Sequence, residues 1–528
     1  MLAWVFERTP EGVRVDARGA GGKLMFGVAA LLVAATVVWY WRGMSSGESG
    51  ASDARTIAVL PFVNMSGDAA NEYFSDGISE EILNVLAGTP ELQVAARTSS
   101  FAFKGQPKEI PEIARELNVR MVLEGSVRRQ DDRVRITAQL VDAEKGFHVW
   151  SQSYNRQLKD IFAIQDEIAH AIGSELKVKI ASPGGQAGVA QGTESLVAYD
   201  LYLRGLALWQ HRGEDALWQA AELFERAAAA DPGFAQAYAG QALVYAILGE
   251  YSLRVSIDES DARARDFAER ALALDHTLPE PYAAMGYVAN TEMRRATAQA
   301  LLRQAIALRP SFATAHQWLG ESLLSDGDFE LGLTSLEKAT ALDPRSRPVA
   351  LNTAWGLMSL GRYEDARASC ERLLITSPDY SECFQMVGLV ELLLGDLDAA
   401  RVTLERYTTL IDRGASQVEE LLNALGGDAD RRAFAQRLAA FSYRSWLDPA
   451  SGNVFDGLYI PPLLMILDEP ELALEYMERI ASEPASYMEW PMTLAVMDPI
   501  RCDPRFAVLL ERLRSTDPRA ATVCAKRG

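Results

Sequence analysis

The sequence predicts a multidomain chain that combines a transmembrane helix, an α/β domain and an all-α solenoid of repeated helix pairs. Three observations predict it: an uncharged stretch of 18 residues near the N-terminus, alternating strand and helix patterns after it, and a 34-residue period in the second half. With 528 residues, 48% of them hydrophobic, the chain has enough apolar material for more than one core. The composition excludes a mostly disordered or collagen-like protein.

The transmembrane helix is predicted at residues 24–41. At about 1.5 Å per residue this segment spans roughly 27 Å, which is close to a bilayer core. Its far end carries a Trp-Tyr-Trp run suited to the headgroup region, whereas a cleaved signal peptide ends in small residues. Four cations lie in residues 1–23, so this tail is expected in the cytoplasm and the bulk of the chain in the periplasm, held at a bacterial inner membrane by one helix. Residues 42–54 are small and polar, as in a flexible tether.

An α/β domain is predicted over residues 55–181 with the element order β-α-β-α-β-β-β-α. The first strand is a short apolar run that ends at a proline, and Ser75 and Asp76 are expected to cap the helix that follows. Later segments alternate polar and apolar residues, as half-buried strands do. The predicted strands are 56–62, 92–98, 121–128, 133–140 and 147–154. The predicted helices run from after Asp76 to before Gly88, over 110–117 and over 160–179, and a linker follows at 182–195.

Five segments of this domain resemble one known family. They read IAVLPF at 57–62, EYFSDG at 72–77, RTSSF at 97–101, LEGSV at 123–127 and RITAQL at 135–140. The domain resembles the bacterial TolB amino-terminal-like, or FlgO-like, domain. The resemblance implies a place between a membrane helix and tetratricopeptide repeats, with a CadC-type winged-helix module or a class III adenylate cyclase on the cytoplasmic side. This chain departs from that pattern, because 23 residues before the predicted helix are too few for either module.

A small-ligand crevice is one interpretation of five polar residues at predicted strand ends and loops. These are Asp76, Arg97, Ser99, Ser100 and Glu124. Open α/β sheets bind ligands at such positions. The competing interpretation is structural, with Asp76 as a helix cap and Arg97 as the partner of a loop carboxylate.

No catalytic residue, metal site or cofactor is predicted. His148 and His170 have no ligand partner at a suitable spacing, and the GMSSG sequence at 43–47 lies in the tether rather than in a strand-to-helix turn. The four cysteines form no Cys-x-x-Cys pair, so they indicate neither a zinc knuckle nor a dense disulfide framework, and their pairing stays open. Four arginines on one hairpin favour a solvated rim over an anion site; they are Arg128, Arg129, Arg133 and Arg135.

The second half repeats every 34 residues, which is the tetratricopeptide period. Prolines mark the period, and glycines and alanines recur at its eighth and twentieth positions, where two helices approach too closely for larger side chains. The residues are Pro310, Pro344 and Pro378, Gly286, Gly320 and Gly388, and Ala298, Ala366 and Ala400. About six helix pairs are predicted over 196–412, with ten residues inserted near 251–261 and degenerate pairs forming a cap at 413–528.

The charge distribution indicates the kind of partner. Residues 183–528 hold 49 of the 72 acidic and 32 of the 52 basic residues of a chain with formal charge −20, which disfavours direct nucleic-acid binding. The solenoid is expected to bind cationic or neutral protein or peptide segments. The leading prediction is therefore a non-enzymatic interaction scaffold. The alternative is the sensory half of a transmembrane regulator whose output module is missing or belongs to another chain, and the oligomeric state stays open.

Overall fold

The computed structural model describes residues 6–9, 12–15, 56–68, 71–89, 91–130, 132–176, 192–427, 430–481 and 489–525. The chain divides into two compact units, Met1–Asp53 and Ala54–Gly528. In the first unit, strands β1 (Phe6–Thr9) and β2 (Gly12–Val15) pair as an antiparallel hairpin. The predicted transmembrane helix and its tether lie outside the described residues. Among the helices that the structure does describe, none has the length and apolar character that a membrane crossing requires.

A mixed sheet forms the N-terminal part of the second unit. Its strand order is β5-β3-β6-β7-β8, and β4 pairs with β6 beyond the end of β3. Strands β3, β4 and β5 run parallel to their neighbours, whereas β6, β7 and β8 form an antiparallel meander. The strands are β3 (Thr56–Val59), β4 (Val63–Asn64), β5 (Gln93–Val94), β6 (Met121–Gln130), β7 (Arg133–Asp142) and β8 (Phe147–Gln157). The helices are α1 (Glu72–Ala87), α2 (Arg97–Phe101), α3 (Ile110–Glu116) and α4 (Ile161–Glu175).

Helices cover both faces of this sheet. Apolar residues of α1 and α4 pack on one face, and Phe103 and residues of α3 pack on the other. The first of these cores continues through α1 into the solenoid, so the sheet and the first helix pairs share one apolar cluster. At Gly77 of α1 a Cβ atom would lie 2.8 Å from Leu203 Cγ, which shows how closely the two parts approach.

Two predicted elements differ from the structure. The strand predicted at 92–98 pairs only at Gln93–Val94, because Ala96 directs its N–H to the carbonyl oxygen of Leu342 in the solenoid, at 2.7 Å, and a short helix begins at Arg97. The first helix begins at Glu72 rather than after Asp76. The prediction that Ser75 and Asp76 cap it is wrong, since both residues lie inside the helix.

The predicted helical solenoid is confirmed. From Leu196 to Leu410, a stretch described without a gap, twelve helices form six antiparallel pairs. They are α5 (Leu196–His211) and α6 (Glu214–Ala230), α7 (Ala235–Tyr251) and α8 (Ile257–Leu274), α9 (Pro279–Thr291) and α10 (Arg295–Leu308), α11 (Ala313–Asp326) and α12 (Phe329–Leu342), α13 (Arg347–Ser359) and α14 (Tyr363–Leu374), and α15 (Ser381–Leu394) and α16 (Leu397–Leu410). The inserted residues lengthen α7, α8 and the turn between them.

The remaining residues form shorter helices joined by 3₁₀ turns. They are α17 (Ser416–Gly426), α18 (Arg431–Ala439), α19 (Ile460–Ile466), α20 (Pro470–Ile480), α21 (Glu489–Thr493), α22 (Pro504–Arg512) and α23 (Pro518–Ala525). Two disulfides occur in the C-terminal half. Cys370–Cys383 links α14 to α15 with a Cα–Cα distance of 5.3 Å, and Cys502–Cys524 ties the segment before α22 to α23 at 5.5 Å.

The repeated small residues lie where the two helices of a pair touch. A Cβ atom on Gly286 or Gly320 would lie 2.7 Å from a leucine Cγ of the paired helix, and one on Gly388 would lie 2.6 Å from such an atom. The structure buries Ala298, Ala366 and Ala400 completely, and it places Pro310, Pro344 and Pro378 in the turns between pairs. The glycine and alanine positions have no room for a larger side chain.

Replacing Ala366 by leucine is expected to lower the free energy of unfolding by about 1–3 kcal/mol, because the added atoms must displace packed side chains. Ala366 is fully buried in α14. Ala229→Leu, on the exposed side of α6, is the matched control and should change stability by less than about 0.5 kcal/mol. Urea denaturation of both variants measures the difference. Equal effects at the two positions would contradict the assigned packing of Ala366.

Candidate functional site

Three residues of the predicted crevice, Arg97, Ser99 and Ser100, lie together on the short helix α2. Asp76 accepts hydrogen bonds from Lys104 Nζ at 2.6 and 2.7 Å. Arg97 forms an ion pair with Glu80 of α1 at 2.7 Å, so its partner is a helix carboxylate and not the loop carboxylate that was predicted. Glu124 lies in the middle of β6, opposite Gln139 of β7.

Ser99 belongs to a junction between the sheet domain and the solenoid. Its hydroxyl donates to Asp343 Oδ1 at 2.5 Å and accepts the backbone N–H of Arg345 at 2.9 Å. Ser311 makes a second contact between the solenoid and the sheet domain, because its hydroxyl donates to the carbonyl oxygen of Ala87 at 3.1 Å. Both Ser99 and Ser100 are buried. The turn after α12 therefore contacts Ser99 directly.

Asp343 makes this junction sensitive to pH. Burial raises its pKa to about 6 from an ordinary value of 3.8, although hydrogen bonds from Ser99 and Thr98 oppose the rise. The folded state therefore holds the Asp343 proton at pH values where the unfolded chain has released it. Stability from this group is fully present below about pH 3.8 and is lost as pH rises to about 6.

The Asp343→Asn variant is expected to remove this part of the pH dependence, which amounts to about 2–3 kcal/mol. The amide cannot ionise, and its oxygen can still accept the hydrogen bond from Ser99. Urea denaturation at pH 4 and at pH 7 gives the free energy of unfolding of the wild type and of the variant. The difference between the two proteins at each pH measures the contribution of Asp343. Asp328→Asn, at an exposed position before α12, should leave the profile as it is. Identical profiles for the wild type and Asp343→Asn would refute the assignment.

A second candidate site lies on the inner face of the solenoid, which we define as the surface formed by α7, α9, α11, α13 and α15. The C-terminal segment of the chain covers much of it. Trp355 of α13 packs against Tyr459 and Trp490 with ring centroids 5.4 and 6.1 Å apart, and Trp490 Nε1 donates to Ser325 Oγ at 3.1 Å. The predicted cap at 413–528 thus packs against the inner face as well as extending the stack.

A cavity of about 200 Å³ remains between the inner face and this cover. We call it the chamber. Its walls combine aromatic rings with charged groups. The aromatic residues are Tyr251, Tyr287, Trp318, Trp355, Tyr380, Tyr443 and Trp490, the carboxylates are Glu250, Glu321, Glu382 and Asp456, and the guanidinium groups are Arg212 and Arg444.

The four carboxylates of the chamber differ in their partners. Glu321 accepts hydrogen bonds from the side-chain amides of Gln317, at 2.8 Å, and Asn352, and Glu250 accepts one from the Tyr287 hydroxyl at 2.8 Å. Glu382 accepts one from its neighbour Ser381 at 2.9 Å, and Asp456 accepts the backbone N–H of Leu458 at 2.9 Å. Burial, together with the smaller effect of the charges of Glu250 and Glu382, raises the pKa of Asp456 to about 7, although the hydrogen bond from Leu458 opposes the rise.

The two arginines enter the chamber from outside the inner helices. Arg212 lies in the turn between α5 and α6 with φ 56°, and its guanidinium stacks over the Trp209 ring at 3.9 Å. Arg444 comes from the C-terminal segment and donates a hydrogen bond to the carbonyl oxygen of Ser252. Both cations are thus held by contacts at the edge of the chamber.

Part of the chamber lining follows the 34-residue period of the sequence. Tyr287, Glu321 and Trp355 are spaced by 34 residues, and so are Trp318 and Asn352. Residues at one position of the period face the same side of the solenoid, so the period itself identifies the lining of the inner helices. The chamber residues that come from the C-terminal segment do not continue either of these 34-residue series.

No group of three or more His, Cys, Asp or Glu side chains with metal-binding geometry occurs in the described parts of the chain. On the hairpin rim, Arg128 is exposed and donates to the carbonyl oxygen of Met65 at 3.2 Å.

Comparison with known proteins identifies the repeats. The tetratricopeptide repeat family matches residues 292–347. The chain is 43% identical over 190 residues to "Putative adenylate cyclase 3" of Rhizobium meliloti (strain 1021), which is 36% of this chain and 32% of that protein. It is 28% identical over 187 residues to the Hsp70-Hsp90 organizing protein of Triticum aestivum, covering 35% of this chain and 28% of that one. The chain thus spans about a third of the length of these curated relatives.

Two solved structures align with part of the chain. A thermophilic TPR protein of Thermus thermophilus aligns with a TM-score of 0.30 and 20% identity, covering 40% of this chain and 98% of that one. PilW, a widely conserved type IV pilus biogenesis factor, aligns with a TM-score of 0.33 and 19% identity, covering 42% and 96%. Together with the helix pairs described above, the family match establishes that the chain carries tetratricopeptide repeats.

Proposed function

We propose that the chain is a membrane-anchored interaction protein that binds protein or peptide partners through its solenoid, outside the cytoplasm. The observation that carries the proposal is the repeat solenoid with an aromatic and acidic chamber on its inner face. Stacked helix pairs form extended surfaces that bind other proteins. No catalytic role is proposed for any of the residues described above.

Two features support a location outside the cytoplasm. Cations precede the apolar stretch at residues 24–41 in excess over those that follow it nearby, as in helices whose N-terminus stays inside. The four cysteines form two disulfides, which persist mainly in oxidising compartments such as the periplasm.

Reporter fusions test the location. Alkaline phosphatase fused after Ser182 should be active in cells, because the enzyme folds only after export, and β-galactosidase fused at the same residue should be inactive. The reverse pattern would contradict the periplasmic location.

Site-specific photo-crosslinking tests the binding surface. A crosslinking residue at Leu351, which lines the chamber from α13, should capture a protein partner, whereas one at Glu337, exposed on α12, should capture much less. Capture should weaken with added salt because exposed charges are screened over about 8 Å at physiological ionic strength. Equal capture at both positions would remove the inner face from the proposal.

The alternative function is that of a sensory segment in a transmembrane signalling system. The similarity to a protein named as an adenylate cyclase favours it. In that case blocking the chamber should change cyclic AMP or transcript levels in cells that contain the output partner. Unchanged levels, together with partner capture at Leu351, would favour the scaffold.

A further inference from the structure

We propose that the chamber binds one compact organic cation, an ammonium or guanidinium group, presented by a lysine or arginine side chain of a partner or by a free small molecule. The inference rests on the proposed function and deepens it, since it names the chemistry that the inner face recognises.

The aromatic walls are the first argument. Seven aromatic side chains surround a single cavity. Ring faces attract cations, most strongly where water is excluded. The same region already holds a guanidinium in this manner, because Arg212 stacks over Trp209 at 3.9 Å.

The charge of the walls is the second argument. Four carboxylates face two guanidinium groups. Glu382 and Asp456 form no ion pair with any described residue, and Arg444 binds a backbone carbonyl. Buried or half-buried carboxylates are normally balanced by a cation. The end of the chamber at Glu382 and Asp456 therefore has a place for one further positive charge.

The size of the chamber limits the ligand. A cavity of about 150 Å³ holds one benzene molecule, and a water molecule takes about 30 Å³. The chamber, at about 200 Å³, therefore takes one side chain or a small molecule and not an extended peptide.

Binding of matched probes to the full chain in detergent tests the inference. The probes are N-acetyl-lysine methylamide, its neutral analogue N-acetyl-norleucine methylamide, and a pentapeptide with a central lysine. Calorimetry gives the affinities, and tryptophan fluorescence reports on the chamber. We expect saturable binding of a lysine probe and about tenfold or weaker binding of the norleucine probe. Binding of the free amide points to a small-molecule source, and binding of the pentapeptide alone points to a partner side chain.

Variants locate the site. At pH 8, above the pKa of about 7 of Asp456, Glu382→Gln and Asp456→Asn should each weaken lysine binding about tenfold, since each removes a counter-charge. Glu337→Gln, exposed on α12, should bind as the wild type does. Thermal melting confirms that each variant is folded, and Glu382→Gln alone suffices if Asp456→Asn does not fold. Equal binding of lysine and norleucine, no binding of any lysine probe, or wild-type affinity in both variants would overturn the inference.

The inference and the proposed function fail separately. Partner capture at Leu351 without lysine binding would overturn the cation site and leave the interaction surface. Lysine binding without partner capture would overturn the interaction surface and leave the cation site.

Discussion

Replacing Phe224 by alanine is expected to lower the free energy of unfolding by about 3–5 kcal/mol. The ring is 1% exposed and lies between three helices. A Cβ atom on Gly205 of α5 would come within 2.6 Å of Phe224 Cε1, and one on Gly240 of α7 within 2.8 Å. Because these two backbones already touch the ring, they cannot close the cavity that alanine leaves, and the lost contacts are not replaced. Urea denaturation of the full chain measures the loss.

Phe147 provides the matched control for this prediction. It begins the edge strand β8 and is 71% exposed, so Phe147→Ala should change stability by less than about 0.5 kcal/mol. A comparable loss at both positions would mean that the junction of α5, α6 and α7 is not packed as described.

The solenoid could be predicted because its determinants are local and repeated. Each helix pair needs a small residue where its helices touch, so Gly286, Gly320 and Gly388 mark the contact directly in the sequence. The helical pattern of the pairs follows from the same period. Neither conclusion needs knowledge of residues far away in the chain.

The junction with the sheet domain could not be predicted in this way. The partner of Ala96 is Leu342, and that of Ser99 is Asp343. Nothing in the local pattern of residues 92–98 shows that its backbone leaves the sheet to meet a turn more than two hundred residues later. Alternating apolar residues predict a strand there, and the tertiary contact overrides that preference.

Only the part of the chamber that the inner helices form could be predicted from the sequence. Its inner-helix residues repeat with the period, whereas Tyr443, Asp456 and Trp490 come from a segment where the register has decayed. The pairing of the cysteines was likewise undetermined, because spacing alone does not show which thiols meet.

The C-terminal segment is held by a buried ion pair. Arg501 has no exposed side-chain surface and pairs with Asp517, whose side chain is 1% exposed. Arg501 also bonds to Asp498 at 3.0 Å and to the carbonyl oxygen of Leu494 at 2.9 Å. Asp517 in turn accepts the backbone N–H of Arg519 at the beginning of α23. One guanidinium therefore joins the segment before α22 to the last described helix.

Replacing Arg501 by methionine is expected to cost about 3–5 kcal/mol of unfolding free energy, because it leaves the Asp517 carboxylate buried without a counter-charge. The double variant Arg501→Met with Asp517→Asn should recover most of this loss, since the amide carries no charge and its oxygen can still accept from Arg519. Arg512→Met, at an exposed position of α22, controls for loss of an arginine alone. Urea denaturation distinguishes the cases. If the double variant were as unstable as Arg501→Met, the loss would come from the missing hydrogen bonds to Leu494 and Asp498 rather than from the stranded charge.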